Sequence, residues 1–137
     1  SLRYFNIFGE RQSFDGAYCT VMGIFCRQRL NGEPLTIVGS GEQRRDFTYV
    51  GDVVSANIKA ATSSNVGKGE VINIGAGGNS SVNELAELIG GPTVSLPPVL
   101  EPLNTLADNS LAKSLLGWEP TTTIHDWVPA YKKKLGI

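Results

Sequence analysis

The 137-residue chain is predicted to fold as an α/β protein. Short β-branched runs that suit a pleated strand alternate with stretches whose apolar residues recur at helical spacing. Glycine or proline punctuates most junctions, and no segment repeats. Strands interleaved with helices in this way belong to layered α/β or α+β architectures.

The length suits one hydrophobic core and therefore a single domain, residues 1–137. Hydrophobic residues make up 41% and charged residues 18%, which excludes a disordered composition. Twelve basic against thirteen acidic side chains leave a charge of −1, so no broad basic surface for nucleic acid is expected. No apolar run approaches the ~18 residues of a membrane span, and the N-terminus lacks signal-peptide anatomy. A cytoplasmic protein with no membrane partner is the expectation. Cys19 and Cys26 are expected in one helix, roughly 10.5 Å of rise apart, too far for a disulfide. One histidine, His125, and no Cys-x-x-Cys pair argue against zinc. The chain opens without Met in a strand-like run, which suggests a piece of something longer.

The elements follow in order. Leu2 to Phe5 reads as a strand, with Asn6 at its end and Gly9 turning the chain. Tyr18, Val21, Met22 and Phe25 repeat at helical spacing and predict a helix over Ala17 to Leu30, closed by Asn31-Gly32 and Pro34. Leu35 to Val38 is a β-branched strand, and Phe47 to Val50 a second. Asp52 is expected to cap a helix that turns Val54, Ile58 and Ala61 to one side. Val71 to Ile74 is a strand. Ser81-Val82-Asn83-Glu84 has the capping-box pattern before a stripe of Val82, Leu85, Ala86 and Ile89. Thr93 to Leu96 reads as a short strand, and Pro97-Pro98 opens an extended segment to Ala107. Asp108 or Asn109 is placed to cap a short helix with Leu111, Leu115 and Leu116 inward and Gly117 as its stop. Ile124, Trp127, Val128 and Tyr131 share a face of a last helix, which Pro129 must kink or start late.

The chemistry concentrates between Gly39 and Asn57, where Arg44 and Arg45 lie on a glycine-bounded turn. A guanidinium is a planar, permanently charged fork suited to a phosphate, and nearby glycines let backbone approach a ligand. The same arginines could equally be solvated or paired with Glu42 or Asp46. Gly75-Ala76-Gly77-Gly78 lies between strand and helix but lacks the spacing of a dinucleotide fingerprint, so a plain turn is expected. Asn6 stands beyond the carboxyl end of a strand, where open α/β sheets place ligands, or is a simple turn residue. Glu101, Asp108, Glu119 and Asp126 read as caps and surface, Trp118 and Trp127 as core, and neither Ser40 nor His125 sits in a nucleophile pattern.

Several motifs then fall into one order. Leu2-Arg3-Tyr4-Phe5-Asn6-Ile7-Phe8-Gly9-Glu10-Arg11-Gln12 closely resembles the strand and loop that open the substrate-binding part of the extended short-chain dehydrogenases, the NAD-dependent nucleotide-sugar epimerases and dehydratases. Asn31 to Gly39 is similar to that family's helix end and base-pocket strand. Gly41 to Asp52 resembles its Gly-Glu-Gln-x-Arg-Asp-Phe-x-Tyr-Val-x-Asp signature. Val71 to Gly75, Leu106 to Ser110 and Leu115 to Pro120 continue the match over nearly the whole chain.

The resemblance implies the C-terminal portion of an extended Rossmann-type fold, without its N-terminal cofactor-binding half. Strands 2–5 and 71–74 would complete the Rossmann sheet; without that half, their edges are expected to be covered by another chain or a second copy. It implies a nucleoside-diphosphate sugar as ligand. In the full enzyme, NAD takes hydride from sugar C4 and returns it, with a Tyr-x-x-x-Lys pair moving the proton. Carried over, Asn6 would bond a phosphate or the sugar, and Thr36 and Val38 would border the base. Arg45 would clamp the diphosphate, Glu101 stands at the family's acidic substrate position, and Tyr4 and Phe5 would lie near the nicotinamide. Asp52 would be structural. This sequence has neither the glycine fingerprint nor Tyr-x-x-x-Lys, and it carries Pro97-Pro98-Val99-Leu100 where an arginine is usual. The chain alone is therefore not expected to catalyse. An epimerase most like those acting on UDP-glucose is the leading expectation; a 4,6-dehydratase, a decarboxylase and a non-catalytic binding module are the rivals.

Overall fold

A computed structural model describes residues 1–137. The first strand, β1 (Leu2–Tyr4), is followed by the two-residue β2 (Ile7–Phe8) and the helix α1 (Val21–Leu30). Thr20 begins α1 because its hydroxyl accepts the Gly23 N–H at 3.3 Å. The helix is thus four residues shorter than its periodicity suggests. Tyr18, expected on the buried face, lies outside the helix and is 96% exposed. Cys19 is also outside it, so the helical-rise argument does not apply, although both thiols are free. Gly32, at φ +70°, ends the helix as expected.

β3 (Leu35–Val38), β4 (Arg44–Arg45) and β5 (Thr48–Tyr49) lead into α2 (Val50–Thr62). The strand expected over Phe47 to Val50 is cut short because Val50 already belongs to the helix. Asp52 is inside the first turn instead of capping it, and Tyr49 makes no side-chain cap. The predicted face of α2 is reversed: Val53 and Ala56 are buried, whereas Val54 and Ile58 are 53% and 60% exposed. The valines and alanines of this helix offer two apolar stripes, and periodicity alone cannot choose between them.

β6 (Ile72–Ile74) and β7 (Ser80–Ser81) precede α3 (Val82–Ile89), where the capping box is complete. Ser81 Oγ accepts the Glu84 N–H at 3.0 Å, and Glu84 Oε2 accepts the Ser81 N–H at 3.2 Å. β8 (Thr93–Leu96) comes next, then an irregular segment to α4 (Ser110–Leu116) and α5 (Ile124–Leu135). Asn109 precedes α4 without a side-chain cap, Gly117 closes it in the left-handed region, and Leu111 faces outward while Ala112 and Leu116 are buried. α5 starts at Ile124, capped by Thr123, so Pro129 does not delay it.

The α/β expectation holds. Three strand pairs are parallel, β1 with β6, β2 with β5 and β3 with β8, and β4 pairs antiparallel with β7. The main core joins α1, β3, α3 and α5 through Phe8, Met22, Phe25, Leu35, Leu85 and Val128. A smaller core lies between the β1–β6 pair, α2 and α4, around Ile74, Ala56 and Trp118. Trp118 and Trp127 are both buried core residues, as expected.

Candidate functional site

β3 presents alternate side chains to opposite sides: Leu35 and Ile37 enter the core, while Thr36 and Val38 face away from it. On that second side lies a cavity of about 290 Å³. Val21, Ile24 and Phe25 of α1 form one wall at helical spacing, and Val82 closes the apolar surface. Asn6, Gln43, Arg45 and Glu101 supply its polar rim. Thus Asn6, Thr36, Val38, Arg45 and Glu101, drawn from four separate segments, border one space.

The turn that delivers Arg45 needs Gly41. At φ +75° it is in the left-handed region, and a Cβ there would run into the side chain of Asn83. Arg45 is then held from two sides. Its Nη1 donates to Pro102 O at 2.7 Å and Arg44 O at 2.9 Å, and its Nη2 pairs with the Glu101 carboxylate. Only 12% of the side chain is exposed. A guanidinium carries five donors, so Nε–H and one Nη2–H are left unengaged. Glu101 also accepts from Gln43 Nε2 at 3.2 Å, and the same nitrogen donates to Val38 O at 3.0 Å.

Arg44 is not a solvated neighbour. It donates to Glu84 at 3.0 Å and to the Asn79 side chain and carbonyl at 2.9 Å, tying β4 to the start of α3. This hydrogen bond to Arg44 is the leading cause that holds the Glu84 carboxyl below the usual carboxylate range. Tyr4 and Phe5 do not border the cavity. Tyr4 is 47% exposed, and its hydroxyl donates to Asn57 Oδ1 at 2.9 Å.

Asp46 pairs with neither arginine. Fully buried, it accepts the N–H groups of Ala76 at 2.7 Å, Gly77 at 3.0 Å and Ala107 at 3.0 Å. The glycine-rich loop after β6 therefore directs two of its donors at a carboxylate of the protein itself. The residues present do not fit a dinucleotide pyrophosphate at this loop, because those donors are engaged and no three-glycine turn accompanies them. Ser80 Oγ stands 3.4 Å from His125 Nε2 beside a separate hollow of about 240 Å³, but no carboxylate orients that imidazole.

Sequence reasoning did not single out Gln43, Gln28 or Asp46. Gln28 could have been noticed as a polar residue continuing the Val21–Ile24–Phe25 face of α1 at helical spacing. Its amide is buried against Thr36, accepting the Thr36 N–H at 3.1 Å and donating to Thr36 Oγ1 at 2.9 Å.

Residues 1–75 match the NAD dependent epimerase/dehydratase family. A putative UDP-glucose 4-epimerase of Methanocaldococcus jannaschii is 37% identical over 134 residues, covering 93% of this chain and 42% of that protein. A UDP-N-acetyl-alpha-D-glucosaminuronate decarboxylase of Bacillus cytotoxicus is 46% identical over 86 residues, 63% of this chain and 26% of that protein. Among solved structures, a UDP-glucose 4-epimerase of Thermotoga maritima with UDP-glucose has a TM-score of 0.83 at 36% identity, covering 98% of this chain and 46% of that one. A UDP-glucuronic acid 4-epimerase of Bacillus cereus, in complex with UDP-glucuronic acid and NAD, gives 0.82 at 33% identity, covering 98% and 44%. The chain thus spans from about a quarter to about two fifths of the length of the curated relatives it matches.

Proposed function

The chain belongs to the NAD-dependent epimerase/dehydratase family, and from that premise we propose that it is the nucleotide-sugar binding portion of an epimerase of the UDP-glucose 4-epimerase kind. The observation that carries this reading is the single cavity bordered by Asn6, Thr36, Val38, Arg45 and Glu101. The apolar slot between α1 and β3 would take the base, and the unengaged Nε–H and Nη2–H of Arg45 would grip the diphosphate. Asn6, exposed at the rim, would reach a phosphate or the sugar. In a longer parent protein NAD would supply the redox chemistry at sugar C4, and Tyr4 and Phe5 would stand toward its nicotinamide; the dinucleotide's own cradle and the proton-moving pair would come from that parent's N-terminal half. That half would also cover the open edges of β1 and β6, unless a second copy does so.

Calorimetry with UDP-glucose on this chain and on Arg45→Lys tests the reading. Lysine keeps the charge but loses the fork, so affinity should fall at least about tenfold, the scale of one charge-assisted hydrogen bond. Equal affinities would remove Arg45 from the site. A second reading, a decarboxylase or 4,6-dehydratase portion, draws on the decarboxylases among the relatives. Activity of the full-length protein on a panel of nucleotide sugars separates the two, and binding without turnover would favour a non-catalytic module.

A further inference from the structure

Gln43, only 7% exposed, borders the cavity together with Arg45 and Glu101. Its Nε2 donates to Val38 O at 3.0 Å and to Glu101 Oε1 at 3.2 Å. A carbonyl and an ionised carboxylate can only accept, so the amide nitrogen must face them and both of its N–H groups are engaged. The Val38 carbonyl anchors this amide to β3.

The consequence falls on Glu101. Its two oxygens are held by different residues, Oε1 by Gln43 and Oε2 by Arg45 Nη2. Arg45 therefore meets one oxygen of the carboxylate and not both. A guanidinium and a carboxylate left to themselves favour a bidentate pair of two parallel N–H···O bonds. Arg45 Nη1 already serves Pro102 O and Arg44 O, so the second bond of such a pair would fall to Nε–H. That is one of the two donors proposed to grip the diphosphate.

Resting on the proposed function of the cavity, we infer that Gln43 is a positioning residue: by holding Glu101 Oε1 it keeps the carboxylate on a single Arg45 donor and leaves Arg45 Nε–H open to the diphosphate. Held in this way, Glu101 anchors the guanidinium. Released, it becomes a rival anion for the same donors.

The test is the ratio of UDP to uridine affinity, with UDP measured by direct calorimetry and uridine by displacement of UDP. Uridine has no phosphate, so the ratio isolates the diphosphate contacts. A variant that lowers the folded fraction, or disturbs the slot between α1 and β3, weakens both ligands alike and leaves the ratio unmoved. Gln43→Met fills a similar space without the amide and should lower the ratio about tenfold, the scale of one charge-assisted hydrogen bond. In a Glu101→Ala background no carboxylate can turn onto Arg45, and the same substitution should change the ratio by less than about twofold, the non-additivity of two residues that act as one. Gln43→Leu repeats both measurements if Gln43→Met does not fold. A ratio that the Gln43 substitution leaves intact, or lowers equally in both backgrounds, overturns this inference and leaves the proposed function standing. Equal affinity of the unaltered chain for UDP and uridine removes the grip of Arg45 on the diphosphate, and this inference with it. Binding of neither overturns the proposed function as well.

Discussion

Asp46 joins three parts of the chain through its two carboxylate oxygens, although it neighbours the arginine proposed to bind ligand. One oxygen takes the Ala76 N–H, and the other takes those of Gly77 and Ala107. An amide in its place has one oxygen and one nitrogen, so at least one buried backbone donor must lose its acceptor. Asp46→Asn should therefore cost about 1–3 kcal/mol, read as a lower urea midpoint at unchanged slope. Gly75 shows how tightly this knot is drawn: a Cβ there would collide with the Ala107 side chain. None of these pairings is visible along the sequence. Asp46 lies 61 positions from Ala107, and a carboxylate beside two arginines invites the assumption of a local ion pair that the fold does not make.

At the scale of the element, α3 is the helix whose expected cap and stripe both stand in the structure. Its capping box is local, with both partners three residues apart, and the four residues of its stripe, Val82, Leu85, Ala86 and Ile89, are all buried. Ser81→Ala should destabilise the protein by about 1 kcal/mol, measured as a shift in thermal midpoint. Glu84, which completes the box and pairs with Arg44, has its folded-state value lowered. Its contribution is accordingly full above the ordinary carboxylate value of about 4.3 and is lost as pH falls through the lowered folded value. The Ser81→Ala penalty should persist into that acid range, whereas an Arg44→Ala penalty should shrink there; urea titrations at neutral and acid pH check this. α2 is the contrast. Its expected cap, Asp52, lies inside the first turn, and the stripe of Val54 and Ile58 faces outward, because two apolar stripes compete and the choice falls to what lies beneath them, Ile72, Ile74 and Trp118.

Over the whole molecule, the buried hydrophobic residues form two clusters, and Asp52 is one of the links between them. From the first turn of α2 its carboxylate accepts the N–H groups of Thr121 at 2.9 Å and Thr122 at 3.2 Å and the Thr121 hydroxyl at 2.7 Å, while its backbone carbonyl accepts Trp118 Nε1. This ties the smaller core to the strand of chain that enters α5 and the main core. Asp52→Ala should lower stability by about 1–3 kcal/mol and separate the two cores, so that tryptophan fluorescence and far-ultraviolet dichroism no longer report coincident unfolding. The sequence by itself determined where most strands and helices lie, how α1 and α4 end, and the order of motifs that shows the family, since caps, glycine turns and periodicity act over a few residues. Only the tertiary structure decided which faces of α2 and α4 turn inward, what Asp46 and Asp52 hold, and that Arg45 meets Glu101 at a separation of 56 residues on the rim of one cavity. Those outcomes depend on side chains satisfying one another across distant segments, and burial decides such pairings only when the whole chain has folded.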